Sequence, residues 1–259
     1  MIPFIGLKTI SLGPLTIQVW GLMVALGILA GTATAARLAK RRGLDASVVW
    51  DVAVWITVAS MIGGRLFHVV FYDPATYLAD PLQIVEIWKG GMSMFGGLVG
   101  ATIAALWFLR RKKLDLLVYA DTLCHGLPIG IGIGRIGCFL IHDHPGTLTH
   151  FVLGTTFPDG SVRHDLGLYE SLYGFALAIV FALLAKRNAK PPTYLVVFLS
   201  AYGIFRFLAD FLRIVDTRYF GLTPAQFLSV VMVGGAIVLS LRAKRSNLSR
   251  RIASATASQ

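Results

Sequence analysis

The chain carries little charge for its length. Only 14% of its 259 residues are Asp, Glu, Lys or Arg, against roughly 25% in ordinary soluble proteins. That scarcity excludes a water-solvated domain of ordinary composition, because too few charged side chains are available to cover its surface. Acidic residues are fewest, 13 against 24 basic ones, which leaves a formal charge of +11. Cysteine is nearly absent. Cys124 and Cys138 lie in one apolar segment, which excludes a disulfide framework and a multi-thiolate metal site. The first twenty residues lack a basic start, a short apolar core and a small-residue cleavage site, so no removable signal segment is expected.

Apolar sequence is what remains. Hydrophobic residues make up 56% of the chain and the mean hydropathy is +0.70. Runs near the ~20 residues that span a bilayer fall at 15–38, 47–72, 92–109, 115–141, 166–185, 193–212 and 224–241. The expected fold is therefore all-α, a polytopic membrane protein crossing the bilayer about seven times. A single domain is expected over 1–245, followed by a polar, disordered tail at 246–259.

The basic residues are gathered rather than spread. Lys40, Arg41 and Arg42 follow the first run, Arg110 to Lys113 the third, Lys186, Arg187 and Lys190 the fifth, and Arg242, Lys244 and Arg245 the seventh. Clusters that alternate with span number act as topological signals, so nucleic acid is not an expected partner. The positive-inside rule then puts the N-terminus outside and the C-terminus inside.

Ionisable groups inside such spans are costly, roughly 2.5–3.5 kcal/mol for an arginine at a helix centre. Arg65, Arg135 and Arg206 stand within or near the ends of spans, all in the outer half by this topology. Arg206 has a structural explanation available in Asp210, one helical turn later. Trp20, Asp143, Tyr169 and Glu170 fall at the same depth. Guanidinium groups gathered near the outer leaflet suit a phosphodiester, since their planar donors match phosphate oxygens. Membrane phospholipid is the expected ligand.

Other patterns are weaker. Gly132, Gly134 and Gly137 spell a dinucleotide-binding fingerprint but lack the strand–turn–helix context; Gly130 and Gly134 suit close helix packing instead. His142, Asp143 and His144, with His150 and His164, could supply metal ligands but lack a second fixed spacing. His68 and His125 read as satisfied histidines.

With those residues in view, the chain resembles the prolipoprotein diacylglyceryl transferases. These bacterial inner-membrane enzymes move diacylglyceryl from phosphatidylglycerol to a lipobox cysteine. The likeness runs from about Val19 to about Gly235 through VWGLMVALG, the long stretch from GGRLFHVVFY to MSMFGGLVGA, GRIGCF, RHDLGLYESL, AYGIFRFLADFLR and LTPAQFLS. It implies seven spans, an active site facing the outer leaflet, phosphatidylglycerol and a prolipoprotein signal segment as partners, and no metal or organic cofactor.

By position it implies that Arg135 and Arg206 are the essential arginines, with Glu170, Tyr202, Asp210 and Arg213 as their acidic, aromatic and charged companions. Gly91, Gly96 and Gly97 fall on the family's glycine stretch. The chain departs from the family at Phe95, where histidine is usual, at Cys138 for asparagine, at Trp20 for tyrosine, and at Asp143 for glutamate. If the histidine is the base that takes the thiol proton, His142, His144 or His68 must replace it; otherwise the arginines lower the thiol's own pKa.

The expected substrate contacts are thus Arg65, Trp20, Phe95, Gly96, Gly97, Cys138, Glu170, Tyr202, Asp210 and Arg213, with Arg135, Arg206, Asp143 and His142 as the chemical groups. The alternative is a relative that binds phospholipid or lipoprotein precursor without transfer, or that uses another acceptor. A transporter fits less well, because neither inverted repeats nor paired broken helices are evident.

Overall fold

The computed structural model describes the backbone of all residues except 14, 88–89, 215–217 and 257–259, and the side chains of these except 12, 15, 94 and 246–256. It resolves into two compact units, one of Met1–Leu38 with Ala120–Gln259 and one of Ala39–Tyr119.

In the larger unit a hairpin of β2 (Thr9–Leu12) and β3 (Leu15–Gln18) leads into α1 (Val19–Arg41), whose last three residues pass into the smaller unit. Residues 15–18 are therefore strand rather than the start of the first span. Helix α5 (Leu116–Cys124) also crosses the boundary and meets α6 (Leu127–Ile141) at a bend of 42°. The break replaces the continuous run expected over 115–141. Pro128 sits in the first turn of α6, where its missing N–H is harmless, but inside one continuous helix it would clash with the preceding turn. Then come α7 (Leu166–Lys186), α8 (Thr193–Ala209) with a 3₁₀ turn at Asp210–Leu212, and α9 (Pro224–Thr256). Helix α9 includes most of the expected polar tail, whose last three residues lie outside the described set.

An all-α chain was expected, yet a second sheet is present. Short strands β1 (Ile2–Pro3), β4 (Pro145–Leu148), β5 (Thr155–Thr156) and β6 (Val162–Asp165) pair in the order β1-β5-β6-β4. They lie in the N-terminal segment and the α6–α7 connection, where backbone groups that no helix satisfies must find partners.

The smaller unit packs α2 (Ala46–Phe71) against α4 (Met94–Arg111), joined by α3 (Pro74–Ala79) and a 3₁₀ turn at Pro81–Val85. Helix starts are capped by short polar side chains: Asp45 accepts from Ser47 N at 2.8 Å and Asp115 from Leu117 N at 2.9 Å. Pro192 precedes α8 and supplies no side-chain cap. The fully buried Asp121 of α5 does so instead, accepting from Leu195 N at 2.8 Å.

Among the described residues five helices are long and apolar enough to cross a membrane, and six if α5 and α6 form one broken span. Helix α4 falls short because three glycines and the closing Arg110 and Arg111 dilute its hydropathy. Their outer faces carry large apolar side chains such as Ile179, Leu183, Val231 and Ile237, each more than half exposed. Apolar surface of that extent needs lipid around it.

Glycine sets the helix spacing. A side chain added at Gly27 of α1 would stand 2.5 Å from Gly130 O of α6, and one at Gly31 would stand 2.9 Å from Gly126 O. The same holds between α2 and α4, where Gly96 faces Gly63 O and Gly97 faces Ser60. Close backbone approach replaces the hydrophobic effect, which is absent between helices in lipid. Gly27→Ala is expected to lower stability by about 1–3 kcal/mol, since neither helix backbone can yield locally. Gly234→Ala, whose added carbon meets nothing within 4 Å, should leave stability unchanged or raise it by up to about 1 kcal/mol. Thermal unfolding in detergent measures both.

Candidate active site

The larger unit buries a cluster of opposite charges where α6, α7 and α8 meet. Glu170, in the second turn of α7, is 1% exposed and receives an arginine on each oxygen. Arg135 of α6 places Nε 2.6 Å from Oε2. Arg206 of α8 donates from Nη1 to Oε1.

Arg206 is shared. Its Nη2 pairs with Asp210 Oδ1 at 2.9 Å, the one-turn partnership legible in the sequence, and Arg213 approaches the same oxygen at 3.9 Å. Asp210 is fully buried and takes the Thr223 hydroxyl on its other oxygen. Three guanidinium groups against two carboxylates leave one positive charge in this set. In a low-dielectric surround that excess favours an anion.

Arg135 is the most open member, with 24% of its side chain accessible. Its guanidinium also reaches Cys138 Sγ at 3.5 Å and the Tyr202 hydroxyl, and the Trp20 indole reaches the same sulfur. Thus Trp20, Arg135, Cys138, Glu170, Tyr202, Arg206, Asp210 and Arg213 form one connected group. Beside it on α8 and α9 lies an apolar groove of about 400 Å³, lined by Gly203, Phe207, Ser229, Val233 and Gly234.

His142 is placed differently from the expectation that it takes a proton from substrate. It ends α6 in a left-handed conformation and is 8% exposed. Phe4 stacks on its ring at 4.1 Å while Phe139 and Phe157 meet it edge-on. Its Nδ1 lies 2.6 Å from Asp165 Oδ2. Asp165 in turn caps α7, accepting from Leu168 N at 3.1 Å. Burial pushes the Asp165 carboxyl above its usual range, against the lowering effect of the His142 and backbone bonds. The pair therefore staples the end of α6 to the start of α7, and sequence reasoning missed Asp165 although its position before an apolar run is a cap signal.

Asp143, the next residue, is exposed enough to face water and pairs with His144 Nδ1 at 3.1 Å. His164 bonds Tyr169 through Nδ1 at 2.8 Å, and partial burial holds its pKa below the ordinary value. Among the described residues no three His, Cys, Asp or Glu groups come together to hold a metal.

Arg65, Phe95, Gly96 and Gly97 belong to the smaller unit. Arg65 is 4% exposed and its guanidinium is spent on backbone: Nε donates to Ile84 O at 3.0 Å, Nη1 to Gly91 O at 2.9 Å and to Gly90 O, and Nη2 to Gln83 O. The Tyr77 ring lies under it at 5.0 Å. It folds the connection after α2, which accounts for its burial without a ligand. His68 stacks on Tyr72 at 5.4 Å. Gly96 and Gly97 serve helix packing, and Phe95 is 37% exposed.

A family profile described as prolipoprotein diacylglyceryl transferase matches residues 8–242. The chain belongs to the prolipoprotein diacylglyceryl transferase family. A phosphatidylglycerol–prolipoprotein diacylglyceryl transferase of Pseudomonas entomophila (strain L48) is 37% identical over 254 residues, covering 92% of this chain and 93% of the relative. One of Pseudomonas syringae pv. syringae (strain B728a) is 36% identical over 261 residues, covering 94% and 95%. Family membership therefore spans the charge cluster, the groove and the α6–α7 connection alike.

Removing one carboxylate separates the two kinds of pair. Glu170→Gln should cost about 3–5 kcal/mol, because it strips the shared partner from the buried Arg206 and the partly buried Arg135. Asp143→Asn should cost under about 1 kcal/mol, since its pair is water-screened. Thermal midpoints of the purified variants decide between these outcomes.

Proposed function

We propose that this protein transfers sn-1,2-diacylglyceryl from phosphatidylglycerol to the thiol of a lipobox cysteine in a prolipoprotein signal segment. The observation that carries the reading is the pair of arginines held by Glu170, inside a chain whose relatives bear that activity by name across nearly their whole length.

In this reading a single transferase domain occupies 1–245, with a cytoplasmic tail at 246–259. Seven spans put the N-terminus outside and the C-terminus inside, in the bacterial inner membrane, with the site toward the outer leaflet. The alternation of basic clusters supports that orientation, and the count of seven takes the broken α5–α6 pair and α4 as the spans beyond five.

Arg135 and Arg206 clamp the phosphate of phosphatidylglycerol. Attack by the cysteine sulfur on the glyceryl carbon forms the C–S bond and breaks the C–O bond to phosphate. The electron pair leaves with glycerol phosphate, whose new charge the two guanidinium groups stabilise. The thiol proton passes to solvent or to the departing phosphate. Glu170, Asp210, Tyr202 and Arg213 orient the arginines, and Trp20 and Cys138 line the approach to Arg135. Acyl chains lie in apolar space such as the α8–α9 groove.

No histidine base is needed. A free thiol has a pKa near ~8.5, and a neighbouring guanidinium lowers it toward neutrality. The closed aromatic surround of His142 supports this over a role for His142 as base. Asp143 then acts at the water-facing rim, on the headgroup.

The test is transfer from labelled phosphatidylglycerol to a lipobox peptide by the purified protein. Arg135→Ala and Arg206→Ala are each expected to lower the rate at least about 100-fold, and Arg135→Lys to recover little of it, since an ammonium lacks the planar fork. The rate should rise with pH through the neutral range as thiolate forms, in His142→Gln as in the unmodified protein. Loss of that rise in His142→Gln would restore the histidine base. Absence of transfer with retained, arginine-dependent lipid binding would replace the enzyme by a binding relative.

A further inference from the structure

Asp210 is the sole carboxylate on which Arg206 and Arg213 meet among the described residues. It sits in a one-turn 3₁₀ segment after α8 and offers Oδ1 to both cations. Its other oxygen is bonded from the far side of the next connection. Thr223 is fully buried and donates its hydroxyl proton to Asp210 Oδ2, leaving Oδ1 toward Arg206.

The threonine is itself held. The segment Thr223-Pro-Ala-Gln226 forms a capping box at the start of α9: Gln226 N donates to Thr223 Oγ1 at 3.2 Å, and Thr223 N donates to Gln226 Oε1 at 2.9 Å. A cap of this kind uses only the lone pairs of the hydroxyl, so its proton is available elsewhere. Gln226, also fully buried, donates its remaining amide group to Phe207 O at 3.1 Å, on the residue that follows Arg206. The start of α9 is thereby bonded to the arginine's helix and to the arginine's carboxylate.

We infer that Thr223 is a positioning residue for transfer, acting through Asp210 to hold the Arg206 guanidinium in the phosphate-binding orientation. The inference depends on the transferase reading given above. A hydroxyl at this point is required for its proton, whereas helix capping alone requires only an acceptor.

The experiment compares diacylglyceryl transfer and phosphatidylglycerol affinity in the unmodified protein, Thr223→Val, Thr223→Ser, Asp210→Asn and the Thr223→Val/Asp210→Asn pair, with thermal midpoints for each. Thr223→Val is expected to lower kcat about tenfold in folded protein, with a smaller change in KM, and Thr223→Ser to restore it. In the Asp210→Asn background Thr223→Val should have little further effect on kcat, because both changes break the same link.

A Thr223→Val protein that loses only stability and keeps kcat overturns the inference and leaves Thr223 a helix cap. If Thr223→Val does not fold, the comparison moves to Thr223→Gly, which a helix N-cap tolerates and which carries no side-chain donor; kcat equal to that of Thr223→Ser then overturns it. Effects of Thr223→Val and Asp210→Asn that simply add also overturn it. An unmodified protein that transfers nothing overturns the transferase reading and this inference with it, whereas an active one with an indifferent Thr223 overturns the inference alone.

Discussion

One carboxylate decides how this bundle is assembled. Glu170 is buried in α7 between guanidinium groups from α6 and α8, and no member of the trio is tolerable in an apolar interior alone. An isolated arginine or glutamate in the hydrocarbon region would cost several kcal/mol or lose its charge. Together they fix the rotation of three helices about their axes, because each helix must aim one residue at the same point. The pairing is poor evidence of stability, since desolvation offsets most of the attraction. What it secures is geometry, two guanidinium groups held a carboxylate's width apart with one facing accessible space.

That geometry leans on helix ends. Arg206 stands in the last turn of α8, its partner Asp210 in the 3₁₀ turn beyond, and the start of α9 is bonded back to both. At the other edge, His142 closes α6 and Asp165 opens α7, joined directly by one bond. Charged chemistry at helix ends in a membrane protein has a physical reason: there the backbone offers unpaired donors and acceptors, and water or headgroups are near enough to reduce the cost of charge.

Much of this is legible in the sequence. The arginines announce themselves by expense, and Asp210 by its one-turn spacing from Arg206. The connected group around Arg135 contains Trp20, Cys138, Glu170 and Tyr202, each named from the sequence as a candidate substrate contact. Arg65 follows the same expense argument but spends its donors on backbone carbonyls, and hydropathy cannot distinguish a loop clamp from a ligand clamp. The strands of the N-terminal segment and the α6–α7 connection escaped notice because two- to four-residue strands have no measurable period. The bend between α5 and α6 was signalled by Gly126 and Pro128, although the apolar run across it is continuous. Asp165 and the Thr223–Gln226 box are capping signals, readable locally, but their roles depend on partners that only the fold brings near.

The residues expected to depart from the family pattern are of different kinds. Cys138 touches Arg135 and so belongs to its immediate surroundings. Phe95 lies in the smaller unit, next to glycines that pack α4 against α2. The account therefore stands on the arginines rather than on any histidine. Its most direct test is a solid-state NMR distance between 15N-labelled arginine side chains and the phosphorus of phosphatidylglycerol, in protein reconstituted with that lipid. The account predicts nitrogen–phosphorus contacts at hydrogen-bonding range that weaken in Arg135→Lys and again in Arg206→Lys. Contacts that neither substitution alters, or none at all, would contradict the claim that these two side chains hold the phosphate.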